Sequence, residues 1–217
     1  HLSSADPKLV GQDKSIVVGH TNFMVADQLA DVGMEAIHPK ASKPLELAGI
    51  NIRIKNTFEP EHPGTIISRD YVSEKPRIEI VSGTDKVLAV DVHDPMMVGE
   101  VGYDLRIMTI FEKYGISYIL KSTNANSITM VINDKPKAQD LIKELDRTFY
   151  KVTVKKVALV CCMGTNIAHP GFLYQAAKAL CDNGINIESF AQSLRQVNMQ
   201  FVIERECYNK AIIALND

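Results

Sequence analysis

Few residues in this 217-residue chain could do chemistry by themselves. Its thiols are Cys161, Cys162, Cys181 and Cys207, and none falls in a C-x-x-C spacing. A zinc or disulfide framework therefore has no support, and Cys161 and Cys162, adjacent on a strand, would face opposite ways. Reduced thiols in a core are expected. Asp6-Pro7-Lys8 offers a cation for a phosphate, or else an ordinary solvated turn. Lys55 and Asn56 close an alternating strand, and ligands often sit at strand ends in α/β sheets; a polar strand end is the plain alternative. His38 precedes Pro39, which suits a structural residue better than a catalytic base. No catalytic residue and no metal-ligand set stands out.

Composition removes several classes. Hydrophobic residues make up 46% and charged residues 23%, with net charge -2. Extended disorder is not expected at that balance, and no Lys/Arg block supports a nucleic-acid partner. No apolar run approaches the ~18 residues that span a bilayer, and no signal-peptide pattern opens the chain, so no membrane partner and a cytoplasmic location are expected. His1-Leu2-Ser3-Ser4 is not a natural initiation sequence, so an excised piece of a larger protein is expected.

The elements that must position these residues fall into three regions. Residues 22–32 carry Phe23, Ala26, Leu29 and Ala30 at helical spacing, with Gly33 as the stop. A second helix is expected over 34–48, entered or interrupted at His38-Pro39. Residues 50–55 alternate strictly, as a strand does, and 65–67 form another; 69–76 read as a polar linker.

The remainder is an internal repeat at an offset of about 70 residues. Val87-Leu88-Ala89-Val90 matches Val157-Ala158-Leu159-Val160, Gly102 matches Gly171, and Gly115-Ile116-Ser117 matches Gly184-Ile185-Asn186. Ile128, Met130 and Ile132 match Met199, Phe201 and Ile203, across a hairpin about two residues longer in copy two. Each copy reads strand, loop, helix, strand, strand, helix. The first helix turns Leu105, Met108 and Phe111 inward in copy one, and Leu173, Ala176, Ala177 and Leu180 in copy two. Strands are expected over 116–121 and 185–191. Copy one closes with a helix, 136–148, and a strand, 151–154. Copy two ends in the helix 208–215 and lacks a last strand. This is the ferredoxin-like βαββαβ plan. A spare strand, 77–81, precedes copy one; pairing it with copy two's sheet would cover an open edge and would insert copy one within copy two.

These motifs resemble the aspartokinase family over essentially the whole chain. Gly33-Met34-Glu35-Ala36-Ile37-His38-Pro39-Lys40, Ile52-Arg53-Ile54-Lys55-Asn56-Thr57-Phe58 and Pro63-Gly64-Thr65 resemble the end of its catalytic domain, of the amino-acid kinase fold. Ser4-Ala5-Asp6-Pro7-Lys8 resembles its nucleotide-loop motif. The repeats resemble its two ACT regulatory domains, and Val197-Asn198-Met199-Gln200-Phe201-Val202 is typical of the second. Val18-Gly19-His20-Thr21 and Leu194-Arg195-Gln196 are similar to aspartokinases associated with ectoine synthesis. The resemblance implies an α+β chain: two ferredoxin-like ACT domains, the first inserted in the second, after a C-terminal remnant of an α/β amino-acid kinase domain. The expected divisions are 1–68 for the remnant, 69–86 for a linker and the strand lent to the second ACT domain, 87–155 for the first ACT domain and 156–217 for the second.

The resemblance also implies the sites. Asp6, Lys8, Lys55 and Asn56 would lie on the ATP side of the parent enzyme, which uses ATP with Mg; nothing is expected to bind tightly here. The family's Lys-Phe-Gly-Gly-Thr-Ser motif is missing, so this chain alone is expected to be inactive. In ACT domains the first strand-to-helix loop and the start of the second strand form an amino-acid site, usually across a dimer interface. Helix N–H groups take the carboxylate, and a glycine permits close approach. In copy one the loop is 96–103 against 117–126, with Ile119 where lysine sites of the family often carry an acid. In copy two Asn166, Ile167, Ala168, His169 and Gly171 would face Asn186, Ile187, Glu188 and Gln192. Glu188 would be the nearby carboxylate for a lysine side chain, and threonine would need no such partner. The expected function is the regulatory portion of an aspartate kinase, a homodimer through its ACT domains that senses threonine or lysine. The alternatives are a stand-alone, non-catalytic ACT amino-acid-binding module and a purely structural dimerisation module.

Overall fold

The protein's structure, a computed structural model, describes residues 1–33 and 38–217. The expected helix start at Met34, and the motif residues Met34, Glu35, Ala36 and Ile37, lie outside the described residues. The chain divides into two compact units, His1–Thr84 with Leu159–Asp217, and Asp85–Ala158.

The early part of the first unit runs β1 (Leu2–Ser3), α1 (Pro7–Val10), β2 (Val17–Val18), β3 (His20–Asn22), α2 (Phe23–Asp31), α3 (Pro39–Leu47), β4 (Ile52–Ile54) and β5 (Thr65–Ser68). Helix α2 forms where it was expected. Asn22 Oδ1 accepts the Val25 N–H at 3.0 Å, an N-cap of the preferred type, and Phe23, Val25, Ala26 and Leu29 fill its buried stripe. His38 Nδ1 accepts the Lys40 N–H at 3.2 Å, so His38 serves as the cap of α3. Strand β5 lies between β3, parallel to it, and β4, antiparallel. Ile67 meets Phe23 and Ala26 in a small core, with Ile52 and Ile54 against it. Buried Thr65 ties the two sheets: its Oγ1 donates to Val18 O at 2.6 Å and accepts the Leu2 N–H at 2.8 Å.

The second unit is copy one. It holds β6 (Ile80–His93) from Asp85 onward, α4 (Tyr103–Tyr114), β7 (Leu120–Thr123), β8 (Ser127–Asn133), α5 (Ala138–Thr148) and β9 (Lys151–Met163) up to Ala158, in sheet order β9-β6-β8-β7. The last strand returns beside the first, as in a ferredoxin-like unit. Both helices close on a core of Leu88, Val90, Val92, Met130, Leu141 and Leu145 among others. The inward face of α4 differs from expectation. Leu105 is 70% exposed, and the buried stripe is Tyr103, Ile107, Ile110 and Phe111, with Met108 partly buried. Strand β7 is shorter than the expected 116–121. The Ile116 N–H still donates to Phe111 O at 3.1 Å, so that residue finishes the helix stop instead of starting a strand.

Copy two completes the first unit with α6 (Phe172–Asp182), β10 (Ser189–Ala191), β11 (Asn198–Glu204) and α7 (Tyr208–Asn216), in sheet order β10-β11-β9-β6. Residues from upstream of copy one thus supply the fourth strand, and copy one is inserted in copy two. The Glu79 N–H donates to Met163 O at 2.8 Å, and Arg77 bridges Asn166. Two expected strand pairs each run on as one strand: residues 80–81 of the expected 77–81 continue to 87–90 in β6, which begins at Ile80, and 151–154 continue to 157–160 in β9. Gly83 is the reason in β6. A Cβ there would collide with Leu159 O, so this glycine serves close strand approach and not a turn. Strand β10 is shorter than the expected 185–191, because the Ile185 N–H bonds Leu180 O at 3.0 Å and closes α6. Helix α6 buries Ala176 and Leu180, but Leu173 is 43% exposed and Ala177 half-buried. Cys161 and Cys162 are fully buried; Cys181 is exposed and Cys207 half-buried, so only two of the four thiols are core residues. Among the described residues no helix is long and apolar enough to cross a membrane.

Candidate functional site

The copy-two loop leaves the end of β9 and enters α6 at Gly171. That residue has φ 102°, a left-handed conformation that a side chain would strain. Gly171 O accepts the Gln175 N–H at 2.9 Å, which begins the helix. The helix start has no side-chain cap bond and no acid in its first turn. The N–H groups of Phe172, Leu173 and Tyr174 are then the unpaired donors of a helix N-terminus, where an anion is favoured. Within the loop, His169 Nε2 lies 2.9 Å from Asn166 Oδ1, and Asn166 Nδ2 donates to Ser73 O at 2.8 Å. Ile167 is buried, while Ala168 and His169 are exposed.

Asn186, Ile187 and Glu188 lie just before β10, and Gln192 just after it. The Glu188 N–H donates to Val202 O at 2.8 Å. Strand β11 stands between β10 and β9. At about 4.8 Å per strand, roughly 10 Å separates β10 from the strand that carries the loop. Within this chain the loop and residues 186–188 thus belong to strands with one other strand between them.

Copy one is arranged differently at the same place. Gly102 precedes α4 without a side-chain cap, but Asp104 stands in the first turn and pairs with Lys121 at 2.6 Å. Tyr103 OH donates to Asp94, Asp94 also accepts the Met96 N–H at 2.9 Å, and the Arg106 guanidinium lies 4.0 Å over the Tyr103 ring. The hydrogen bond from Tyr103 and that from Met96 N–H hold the Asp94 carboxyl below its usual range. The start of α4 already carries its own carboxylate.

Of the four nucleotide-side residues, Asp6, Lys55 and Asn56 make local side-chain hydrogen bonds. Asp6 Oδ1 accepts the Lys8 N–H at 2.9 Å as the cap of α1. Asp6 also lines a cavity of about 400 Å³ with Pro7, Val81, Gly83, Tyr208 and Ile212; Lys8, Lys55 and Asn56 are not among its lining residues. Lys55 Nζ donates to Pro60 O, and Asn56 Oδ1 accepts the Phe58 N–H at 3.1 Å, which folds the turn after β4. Of the four, Asp6 alone is among the residues lining the cavity. Among the described residues no cluster of His, Cys, Asp and Glu could hold a metal.

Sequence reasoning missed three residues at the base of the copy-two loop. Glu79 Oε2 accepts the Thr165 N–H at 2.6 Å, and Thr165 Oγ1 accepts the Ser73 N–H at 2.9 Å. Glu79 lies between Ile78 and Ile80, where alternation places it opposite the apolar face and so toward solvent.

Residues 160–217 match a family model described as ACT domain. The chain is 45% identical over 219 residues to Aspartate kinase Ask_Ect of Stutzerimonas stutzeri (strain A1501), covering 100% of this chain and 46% of that protein. It is 26% identical to Aspartokinase 3 of Bacillus subtilis (strain 168), over 98% of this chain and 48% of that protein. The structure is similar to Clostridium acetobutylicum aspartate kinase, with TM-score 0.89 and 24% identity over 99% of this chain and 51% of that one. It is also similar to E. coli aspartokinase III in complex with lysine and aspartate (T-state), with TM-score 0.82 and 19% identity over 99% of this chain and 48% of that one. At those identities the two structures speak for the fold alone. The chain spans about half the length of these relatives. Along its whole length the chain is similar to about half of an aspartate kinase, with Ask_Ect pointing to the ectoine-associated subgroup, and its residues 160–217 match the ACT domain.

Proposed function

We propose that this chain is the regulatory portion of an aspartate kinase, an enzyme that transfers the γ-phosphate of ATP, with Mg, to the β-carboxylate of aspartate. It senses an end-product amino acid in its second ACT domain, with threonine favoured over lysine, and pairs with a second copy through its ACT domains. The observation that carries the effector role is the open start of α6: a glycine N-cap, no side-chain cap bond and no acid in the first turn. The ligand's carboxylate takes the N–H groups of residues 172–174. Its ammonium takes oxygen acceptors near Asn186 of the second copy, a reading supported by β11 lying between β10 and the strand that leads into the loop. Charge-assisted hydrogen bonds of this kind are worth ~1.5–3 kcal/mol each. Threonine needs nothing more, whereas a lysine side chain needs Glu188. Each tenfold change in effector affinity between two states of the enzyme shifts their balance by about 1.4 kcal/mol.

Calorimetric titration of the chain with threonine and with lysine tests the assignment. Threonine should bind more tightly, and Asn186→Ala should weaken it. Tight lysine binding without threonine binding would reverse the ranking, and an unchanged Asn186→Ala affinity would remove copy two as the site. Sedimentation should show a dimer. Tested alone, these residues should give no aspartate-dependent ATP turnover; a rate near ~1 s⁻¹ would contradict the regulatory assignment.

A further inference from the structure

We propose that Glu79 is a positioning residue which clamps the copy-two effector loop to the segment joining β5 to β6, so that occupancy of the loop is felt at helix α2; this rests on the effector role proposed above. The Glu79 side chain is only 1% exposed. Its Oε2 holds the Thr165 N–H, while its Oε1 is buried without a hydrogen-bond partner, 3.9 Å from the Arg77 guanidinium. A buried carboxylate served this sparingly is costly, and the bond it does make is to the loop backbone. Around it the loop and the joining segment interlock. The Ser73 N–H donates to Thr165 Oγ1, Asn166 Nδ2 donates to Ser73 O, and a Cβ on Gly164 would stand 2.7 Å from Arg77 O. Backbone meets backbone there, with no room for slack.

The same segment grips α2 two residues earlier. Tyr71 O accepts from Asn22 Nδ2 at 2.9 Å, and Asn22 is the cap of α2. The Tyr71 ring stacks on His20, with centroids 3.8 Å apart and planes 15° apart. A second grip reaches the middle of the helix. The Gly164 N–H donates to Val197 O at 3.1 Å, and Asn198 Nδ2 donates to Gln28 Oε1 at 3.0 Å.

Amide hydrogen exchange on the whole chain tests the clamp. In Glu79→Ala the Thr165 and Ser73 amides should exchange at least about tenfold faster, as a locally opened unit does. Glu79→Gln, whose amide oxygen still accepts the Thr165 N–H, should restore protection to within about threefold. Adding threonine, or lysine, to the wild-type chain should slow exchange at residues 71–73 as well as in the loop. In Glu79→Ala the 71–73 response should vanish while binding heat remains. Unchanged Thr165 exchange in Glu79→Ala, or a 71–73 response that survives it, overturns the proposal. If neither amino acid gives heat with the wild-type chain, the effector role fails, and the ligand-free exchange still decides whether Glu79 holds the loop. Should Glu79→Ala not fold, Thr165→Val, which removes the acceptor of the Ser73 N–H, must speed Ser73 exchange or the clamp is refuted.

Discussion

Placing a carboxylate in the first turn of α6 should lower effector affinity while leaving the fold as stable or slightly more so. Tyr174 is the third residue of that helix and 68% exposed, so Tyr174→Glu disturbs little packing. A negative charge near a helix N-terminus stabilises by about 0.3–1 kcal/mol. The same charge would face the ligand's carboxylate. With a rise of 1.5 Å per residue, a third-position side chain lies roughly 6 Å from an anion on the N–H groups. Two unit charges at that distance repel by about 0.7 to 2.8 kcal/mol for an effective dielectric constant of 80 to 20. Affinity should therefore fall about three- to hundredfold. Tyr174→Gln removes the ring but adds no charge, and isolates the electrostatic part. Titration calorimetry with threonine reads the affinity, and thermal melts read the stability. Equal affinity in the Glu and Gln variants would refute carboxylate binding at α6, and a melting temperature that drops with affinity would mark the effect as unfolding.

Three further outcomes follow from the geometry. Gly83→Ala should cost about 1–3 kcal/mol in urea unfolding, because its Cβ meets the Leu159 carbonyl, which belongs to a paired strand and cannot step aside; an unchanged midpoint would count against the close approach. Thiol labelling at pH 8 should modify Cys181 first and Cys207 next, sparing Cys161, whose thiol burial pushes up, and Cys162, pushed up by burial to about 12, until the chain unfolds; early labelling of either would show that β9 is accessible. Asp94, held below its usual range by Tyr103 and Met96, adds stability above its unfolded pKa of about 3.9 and loses it as pH falls through the lower folded value. Asp94→Asn should therefore be less stable than wild type at neutral pH and show a shallower acid limb, followed by circular dichroism; superimposable acid limbs would remove Asp94 from the balance.

The repeat was legible because its signals are local. A run of apolar residues at 87–90 and 157–160 must be buried, and two glycines at equal spacing bracket each first helix. What misled was composition with more than one use. Ser82-Gly83-Thr84-Asp85 has the residues of a turn, yet it runs inside β6, because glycine also permits two backbones to touch. In α4 both Leu105-Met108-Phe111 and Tyr103-Ile107-Ile110 fit a helical stripe; which of them faces inward depends on the angle at which the helix leaves Gly102, a matter of packing and not of pattern. Glu79 was invisible for a related reason. Alternation sorts residues by face, and its carboxylate is buried by a loop that arrives from 86 residues further along the chain.

The two copies share one plan, so whether either binds an amino acid turns on their first turns and not on the fold. Copy one satisfies its helix start internally. Asp104 brings a carboxylate to α4, Lys121 neutralises it, and Asp94 with Tyr103 and Arg106 fixes the loop in front. A ligand carboxylate arriving there finds the place already held by the Asp104 carboxylate and its Lys121 partner. Copy two has the same glycine and the same helix without the acid, and its loop is anchored from behind by Glu79, Ser73 and Asn166, which leaves the face over residues 172–174 uncommitted. Half a site of this kind is legible in one chain. The other half, at 186–188, enters β10, which β11 separates from the strand that leads into the loop, so in the proposed site a second copy supplies Asn186. Effector affinity in copy two should then depend on chain concentration, falling as dilution separates the dimer, because each site needs both chains. Titrations at protein concentrations well above and well below the dimer dissociation constant test this directly. Equal affinity in the two regimes would place the whole site within one chain and end the role of Asn186.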